Sequence, residues 1–194
     1  MKAVLASGNA GKVRELATLL AARWIEVVPQ TDFGIVTPPE TGTTFLENAL
    51  LKARHAASLS GLPALADDSG IEVDALGGRP GVWSARFAGE HAGDAENISL
   101  LLRELAGVPD ERRTARYRCV LVLLRSPSDP DPVVAQGVWE GRVLSAPRGR
   151  GGFGYDPVFQ PQGFTVSTAE LPADQKNALS HRAQALAALL GALP

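Results

Sequence analysis

Two adjacent carboxylates in the middle of the chain constrain its fold more than any other feature. Asp67 and Asp68 follow the small apolar run Leu62–Ala66. Two acids side by side are costly near a hydrophobic core unless something offsets their charge. A divalent cation is one candidate, because hard oxygen ligands suit Mg²⁺ or Mn²⁺. The other is a turn rich in Asp, Ser and Gly, bending tightly at Ser69 and Gly70, and the stretch alone leaves both interpretations open.

The length, charge and cysteine content exclude several classes of protein. A chain of 194 residues is enough for one domain, or one domain with two lobes, around a substantial core. The formal net charge of −2 argues against a general nucleic-acid binder, which would normally carry a basic surplus. The single cysteine, Cys119, excludes an internal disulfide and a cysteine-based zinc cluster, and its apolar neighbours predict a core thiol. With no signal peptide and no apolar run long enough to span a bilayer, we expect a cytoplasmic protein without a membrane partner.

The first twenty residues have the pattern strand, Gly-containing turn, helix. Lys2–Ala6 predicts a short buried strand. The core face of the helix is predicted by a stripe at i, i+3, i+4 and i+7 spacing: Val13, Leu16, Ala17 and Leu20. Between them, Ser7–Lys12 would present backbone N–H groups and the positive end of the helix dipole to an anion. It is not a Walker A loop, because Ala6 and Val13 stand where that motif needs Gly and Ser or Thr. Phosphate binding is favoured over a plain connecting turn.

A second helix is predicted to begin at a capping box. Thr44–Glu47 has the Ser/Thr-x-x-Glu pattern that starts a helix. The predicted apolar face consists of Leu46, Leu50, Ala53 and Ala57. Asn48 and Lys52 lie on another face, one turn apart. They matter for function only if that face looks toward Asp68; otherwise they form a solvated polar stripe.

The remaining strands and one helix follow from periodicity. Ile25–Val28 predicts a second strand that completes a crossover unit with the first. Ile71–Asp74 alternates like a half-buried strand, and two further runs, Tyr117–Arg125 and Val133–Glu140, predict a hairpin of the main sheet. Asp94 is expected to cap the helix that follows it, whose predicted core face is Ile98, Leu101, Leu102 and Leu105.

The glycine-rich segment and the last helix carry weaker signals. Gly149–Gly154 contains G-x-G-x-x-G, but no clear strand precedes it, Pro147 intervenes, and Tyr155-Asp156-Pro157 follows where a helix should start, so we reject dinucleotide binding. Gly152–Pro157 is interpreted either as a rigid loop that brings an aromatic ring and a carboxylate to a flat ligand or as a plain connector. Near the end, Ser180 is a good N-cap. His181 and Arg182 oppose the macrodipole of the last helix, which predicts an anion or an acidic partner beside them.

Six motifs in order resemble those of the inosine triphosphate pyrophosphatase family. They are Ser7-Gly-Asn-x-Gly-Lys12 with Glu15, Thr44-Phe-x-Glu-Asn-Ala-x-x-Lys-Ala53, Ala66-Asp-Asp-Ser-Gly70 with Val73-Asp-Ala-Leu, Gly78-x-Pro-Gly-Val with Ser84-Ala-Arg86, Phe153-Gly-Tyr-Asp-Pro157 and Ser180-His-Arg182. Members of that family hydrolyse deaminated purine triphosphates (dITP, ITP and XTP) to the monophosphate and pyrophosphate. Ser7, Trp83 and Phe87 depart mildly from the family pattern and remove no charged group.

The resemblance implies a fold and a role for particular residues. The fold would be α/β: an elongated, two-lobed single domain over residues 1–194, with a twisted mixed β-sheet flanked by helices and the active site in the central cleft. Asp68 would be the catalytic carboxylate and, with Glu40, a ligand of Mg²⁺, with Asp67 and Glu47 nearby as helpers. The substrate-binding residues would be Ser7, Gly8, Asn9, Ala10, Gly11, Lys12, Lys52, Ser69, Phe153, Gly154, Tyr155, Asp156, Lys176, His181 and Arg182. A homodimer is expected, since family members are usually homodimers.

Three alternatives remain beside that interpretation. The first is a pyrophosphatase of similar architecture that acts on dTTP or UTP. The second is a nucleotide-binding regulatory module without turnover, which the paired carboxylates argue against because binding alone does not require them. The third is an RNA-binding protein, which the acidic charge balance disfavours.

Overall fold

Six strands of the described residues form one mixed sheet flanked by helices, in the order β2-β1-β3-β4-β5-β6. The computed structural model describes residues 1–20 and 25–193. The strands are β1 (Lys2–Ala6), β2 (Glu26–Pro29), β3 (Ala64–Val73), β4 (Thr114–Leu124), β5 (Val133–Val143) and β6 (Phe159–Pro161). The helices are α1 (Ala10–Leu20), α2 (Phe45–Ser60), α3 (Asp94–Glu104), α4 (Ala173–Leu179) and α5 (His181–Gly191). The predicted α/β class is confirmed, and none of these helices is long and apolar enough to cross a bilayer.

The first strand is the parallel centre of the N-terminal part of the sheet. β1 pairs with β2 in parallel, with Lys2 opposite Glu26, and with β3 in parallel, with Ala6 opposite Ala66. The predicted strand–helix–strand unit is therefore confirmed for the described residues. Parallel pairing places the carboxyl ends of β1 and the first half of β3 at the same edge, so Ser7 and Asp67 follow the paired residues at the same level.

The residues divide into two compact units, each with its own core. The first unit comprises Met1–Asp68, Cys119–Gly137 and Arg182–Pro194, and the second comprises Ser69–Arg118 and Val138–His181. The core of the first unit includes Leu5, Leu16, Leu20, Ile25, Leu65, Cys119, Leu121, Leu186 and Leu189. The core of the second includes Ile71, Val73, Ile98, Leu101, Leu105, Tyr117, Trp139, Tyr155 and Phe159. Cys119 is fully buried, which confirms the predicted core thiol.

Of the two interpretations of the acidic stretch, the turn at Ser69 and Gly70 is wrong. β3 runs without interruption from Ala64 to Val73, so the acidic pair and the Ser-Gly that follows it all belong to one strand. Gly70 is required by crowding rather than by a turn. A Cβ atom there would lie too close to the carbonyl oxygen of Gly81 and to Ser84 Oγ.

The helix faces and one cap also differ from expectation. In α1, Ala17 is exposed and Glu15 is buried. In α2, the capping box of Thr44 is confirmed, but Leu46 and Leu50 are only partly buried. The buried face of α2 is instead Phe45, Asn48, Ala49, Lys52, Ala53, Ala56 and Ala57. The N-cap of α3 is Gly93 rather than Asp94, which is the first residue of the helix.

Candidate active site

Strand β3 points its two carboxylates to opposite faces, as successive side chains of a strand do. Both groups are buried, with Asp67 0% and Asp68 3% exposed. Asp67 Oδ2 lies 3.2 Å from Lys12 Nζ of α1. Asp68 Oδ1 lies 2.9 Å from Lys52 Nζ of α2. Each acid of the pair is therefore compensated by its own lysine.

Helix α2 brings a lysine and an amide to Asp68. The capping box fixes the start of the helix, because Thr44 Oγ1 accepts the Glu47 N–H and Glu47 Oε2 accepts the Thr44 N–H. One turn apart on the buried face, Asn48 Nδ2 donates to Asp68 Oδ2 over 3.2 Å and Lys52 Nζ donates to Asp68 Oδ1. Asn48 and Lys52 therefore face Asp68, which is the arrangement that the sequence pattern requires for them to matter for function. The Glu47 carboxylate is committed to Thr43 and Thr44.

Lys52 joins two carboxylates. Its Nζ donates to Glu40 Oε1 over 2.6 Å as well as to Asp68. Burial lowers the pKa of Lys52, but the charges of Asp68, Asp67 and Glu40 outweigh it, so the pKa is raised above its usual value. The ammonium is therefore a permanent positive charge in the site.

The pKa values of the two adjacent acids are shifted in opposite directions. Burial acts to raise the pKa of Asp67, but Lys12 and Arg182 outweigh it and hold that pKa well below the usual range. Burial also raises the pKa of Asp68, Glu40 adds to the rise, and Lys12 and Lys52 only partly offset it. Asp67 is thus a fixed negative charge, and Asp68 is the better proton acceptor.

The turn between β1 and α1 is organised by Asn9. Its Oδ1 accepts the backbone N–H groups of Gly11 at 2.9 Å and Lys12 at 3.1 Å, which makes Asn9 the cap of α1. The Asn9 N–H donates to Ser7 Oγ over 3.3 Å. The backbone N–H groups of Asn9, Gly11 and Lys12, which the sequence predicted to face an anion, therefore donate within the turn instead. The Lys12 ammonium beside Asp67 is the charge that this turn contributes.

Arg182 has the acidic partners that its helix position predicted. Its guanidinium is bonded to Glu15 of α1, and its Nε lies 3.5 Å from Asp67 Oδ2. Burial lowers the pKa of Arg182, yet Asp67 and Glu15 outweigh burial and raise it. Sequence reasoning gave Glu15 no role of its own. The available signal was its position one turn after Gly11 on the same face of α1.

The carboxylates of the first unit suit a hard divalent cation. Among residues 1–20 and 25–193, no group of three or more His, Cys, Asp or Glu could hold a metal ion. Mg²⁺ is usually held by one or two carboxylates together with waters and phosphate oxygens rather than by a cage of protein ligands. Glu40 and Asp68 both contact the Lys52 ammonium, so their carboxylates lie close together and provide such a pair. The donor chemistry therefore fits Mg²⁺.

In the second unit, Asp156 organises the glycine-rich loop. Its carboxylate is buried, and Oδ2 accepts from the Phe153 N–H at 2.9 Å and from Lys176 Nζ of α4 at 2.5 Å. Lys176 Nζ also lies 4.9 Å from the centre of the Phe153 ring. Gly152 has φ +74, and a Cβ there would collide with Asp156. The ring, the lysine and the carboxylate form one assembly.

Thr168 completes this assembly and was missed by sequence reasoning. Its Oγ1 lies 3.0 Å from Asp156 Oδ1 and 3.0 Å from the Asp156 carbonyl oxygen. The available signal was the capping pattern Ser167-x-x-Glu170, which predicts an ordered turn around Thr168.

Two predicted substrate contacts of the second unit are packed inside the protein. The Tyr155 hydroxyl donates to the Ser84 carbonyl oxygen over 2.8 Å, and its ring belongs to the core. His181 stacks on Tyr117 with ring centres 4.7 Å apart. Both side chains are buried, while Ser69 is partly exposed. Their roles toward a substrate stay predictions.

These features define a mixed-sheet α/β protein with a buried cluster of acidic and basic side chains where the parallel pairing of β1 and β3 ends. The chain belongs to the Ham1 family, whose model matches residues 3–192. The resemblance drawn from the six motifs is confirmed, because curated relatives over the full chain are named dITP/XTP pyrophosphatases.

Similar proteins cover nearly the whole chain. A dITP/XTP pyrophosphatase of Shigella flexneri is 56% identical over 99% of this chain and 98% of its own. One from Vibrio cholerae is 54% identical over 99% of this chain and 96% of its own. A solved HAM1 protein from Coxiella burnetii superposes with a TM-score of 0.89 at 48% identity, covering 96% of this chain and 95% of the other.

Proposed function

We propose that the protein hydrolyses deaminated purine nucleoside triphosphates (dITP, ITP and XTP) to the monophosphate and pyrophosphate, and so cleanses the nucleotide pool. The observation that carries the proposal is the environment of Asp68, a buried carboxylate with a raised pKa that contacts a buried lysine. Binding alone does not need such a proton acceptor, whereas hydrolysis does. Membership of the Ham1 family and the names of the relatives support the same reaction.

In the proposed reaction, Asp68 accepts a proton from the attacking water. The water oxygen bonds to the α-phosphorus, the bond from the α-phosphorus to the bridging oxygen breaks, and pyrophosphate leaves. Proton acceptance by a positioned carboxylate contributes about 10²–10⁴-fold to such rates. Lys12 and Lys52 supply positive charge against the phosphates, with Ser7, Gly8, Asn9, Ala10 and Gly11 along the triphosphate. Charge stabilisation of this kind is usually the largest contribution to phosphoryl transfer.

We propose Mg²⁺ as the cofactor, with Glu40 and Asp68 as its protein ligands. Nucleotide pyrophosphatases generally need a divalent metal ion, and the pair of carboxylates fits its donor preference. When bound, the ion would neutralise charge on the phosphates. Asp67 is offset by Lys12 and Arg182, so it is not proposed as a ligand of the ion.

Base selection is assigned to the loop and helix residues of the second unit, together with Arg182. We propose that the Phe153 ring stacks on the base and that His181 and Arg182 contribute polar contacts, with Ser69, Gly154, Tyr155, Asp156 and Lys176 around the base and sugar. Donors aimed at a 6-oxo group would be left unpaired against the 6-amino group of adenine, which can cost several powers of ten. Guanine shares the 6-oxo group and must be excluded through its 2-amino group.

The same family match bears on the extent of the domain, and from it follow proposals for the oligomeric state, location and partners of the protein. The match of the family model to residues 3–192 supports residues 1–194 acting as a single nucleoside triphosphate pyrophosphatase domain. We further propose a homodimer that works in the cytoplasm, with a nucleotide substrate and neither a nucleic acid nor a membrane as partner. The acidic charge balance supports the exclusion of nucleic acid.

The test is pyrophosphate release from ITP, XTP, GTP, ATP, UTP and dTTP, each with Mg²⁺ and with EDTA. Fast, metal-dependent release from ITP and XTP alone is the expected result. Release from UTP or dTTP would retain the chemistry and transfer the specificity to pyrimidines. No release from any of the six would contradict the proposal and favour a nucleotide-binding module without turnover.

A further inference from the structure

The first residue of α3 is bonded to the glycine-rich loop, sixty residues further along the chain. Asp94 Oδ2 accepts the backbone N–H of Gly154 over 2.6 Å. An acidic residue in the first turn of a helix is ordinary, because it complements the macrodipole. That preference does not account for the bond to Gly154, which belongs to a different segment of the second unit.

The bond to Asp94 is one of two that flank Phe153. The N–H of Phe153 is held by Asp156 Oδ2, and the next N–H along the backbone, that of Gly154, is held by Asp94 Oδ2. These two peptide groups lie on either side of the Phe153 Cα atom. Fixing both of them fixes the backbone torsions of Phe153 and hence the direction in which its ring leaves the chain.

The charge of Asp94 strengthens this arrangement. Hydrogen bonds to an ionised carboxylate are about twice as strong as those between neutral groups. Gly154 itself has φ +60, in the left-handed region that glycine adopts without strain. The Asp94 charge also reaches the next residue: burial, and after it Asp94, raises the pKa of Tyr155.

We propose that Asp94 is a positioning residue for nucleobase binding: its carboxylate holds the Gly154 N–H and thereby orients the Phe153 ring. The inference rests on the proposed function, in which that ring stacks on the base. Asp94 itself touches no substrate in this scheme. Its effect should therefore appear in binding of the base and be absent from binding of the pyrophosphate group.

The two reaction products separate these parts of the substrate. Inosine monophosphate carries the base, whereas inorganic pyrophosphate lacks it, and both are tested as inhibitors of ITP hydrolysis. In Asp94→Ala we expect the inhibition constant for inosine monophosphate to rise about five- to twentyfold, since part of the stacking contribution is lost. The constant for pyrophosphate should not change. Asp94→Asn keeps an oxygen acceptor for the Gly154 N–H and should lie closer to wild type than Asp94→Ala.

Glu96→Ala is the matched control. Glu96 lies in the same first turn of α3 and accepts the Gly93 N–H over 2.7 Å, so its loss weakens the helix start without removing the bond to Gly154. Glu96→Ala should leave both inhibition constants unchanged. Direct titration of inosine monophosphate onto each variant gives the same comparison if turnover is too slow to measure.

Two results would overturn the inference. The first is an Asp94→Ala protein whose affinity for inosine monophosphate equals that of wild type. The second is an equal loss of affinity for inosine monophosphate and for pyrophosphate, which indicates a general structural defect. Failure of the proposed function is a different result, because the wild-type protein would then hydrolyse no ITP.

Discussion

Asp67 and Asp68 are consecutive residues of one strand, yet each meets a different lysine and holds its proton differently. Asp67 lies 3.2 Å from Lys12 Nζ and Asp68 lies 2.9 Å from Lys52 Nζ. The pKa of Asp67 is lowered and that of Asp68 is raised. The strand makes this division possible, because it sends adjacent side chains into opposite environments: Lys12 and Arg182 lower the pKa of Asp67, whereas burial and Glu40 raise that of Asp68. One acid is left as a fixed charge and the other as a proton acceptor.

Asp68→Asn tests the role of the proton acceptor. Asn keeps the size of the side chain and cannot accept the proton, so we expect kcat to fall about 10²–10⁴-fold. The fold should be retained, as measured by circular dichroism and thermal unfolding. Asp74→Asn is the matched control, because Asp74 follows the same strand and pairs with Arg116 instead. Wild-type turnover by Asp68→Asn would remove Asp68 from the mechanism.

Lys52→Met tests how strongly the buried cluster depends on its ammonium. Lys52 is 4% exposed and compensates Asp68 and Glu40. Removing one partner of a buried ion pair costs about 3–5 kcal/mol, because the remaining charge stays uncompensated. Urea denaturation of Lys52→Met should show a loss of that size in the free energy of unfolding.

Two further variants show whether the cost of Lys52→Met comes from its buried ion pair with Asp68. In the Asp68→Asn background, Lys52→Met should cost less, because it leaves one charged carboxylate, Glu40, without its lysine instead of two. Lys2→Met removes an exposed pair with Glu26, 3.9 Å apart, and should cost less than about 1 kcal/mol. An equal cost of Lys52→Met with and without Asp68 would show that the two residues are not coupled.

Glu47 gives a pH dependence to the start of α2. The side-chain hydrogen bond from Thr43, followed by the backbone N–H groups of Thr43 and Thr44, lowers the pKa of Glu47. Its pKa is thus lower in the folded state than the value of 4.5 for an unperturbed Glu. Glu47 therefore stabilises the fold above pH 4.5 and loses that contribution as the pH falls through the folded-state pKa.

Thermal unfolding of wild type and Glu47→Gln across this pH range tests the capping charge. We expect wild type to have the higher Tm at neutral pH and the difference to shrink in acid, where protonated Glu and Gln are both neutral. Glu90→Gln, at an exposed position, is the matched control and should show little difference at either pH. A Tm difference that does not change with pH would contradict the role of the charge.

Local patterns predicted the elements that local contacts stabilise. The capping box starts α2 at Phe45, and the one-turn spacing of Asn48 and Lys52 brings both to Asp68. The unfavourable charge of Arg182 at a helix N-terminus correctly indicated an acidic partner. In each case the signalling pattern lies within a few residues of sequence, although the partners Asp68 and Glu15 are distant in the chain.

Features that depend on distant segments could not be predicted. Asp-Asp-Ser-Gly has the composition of a turn, but pairing of β3 in the sheet overrides that local preference and keeps the chain extended. The bond from Thr168 to Asp156 and the bond from Gly154 to Asp94 join residues that no periodicity relates. The family resemblance supplied the candidate residues of the site, but their partners had to come from the structure.

Gly70→Ala tests whether a glycine is needed beside the acidic pair for its backbone conformation or because its surroundings are crowded. The φ of Gly70 is not positive, so the backbone conformation alone would accept Ala. The crowding would not: the new Cβ would meet the Gly81 carbonyl oxygen and Ser84 Oγ, and Ser84 Oγ is itself held by the Ile71 N–H at 2.9 Å. We therefore expect Gly70→Ala to lower the free energy of unfolding by about 1–3 kcal/mol in urea denaturation. Gly191→Ala, where nothing lies within 4 Å, should cost nothing. A Gly70→Ala protein as stable as wild type would mean that the strand can move away from Ser84, and that the close approach does not hold β3 in place next to Asp68.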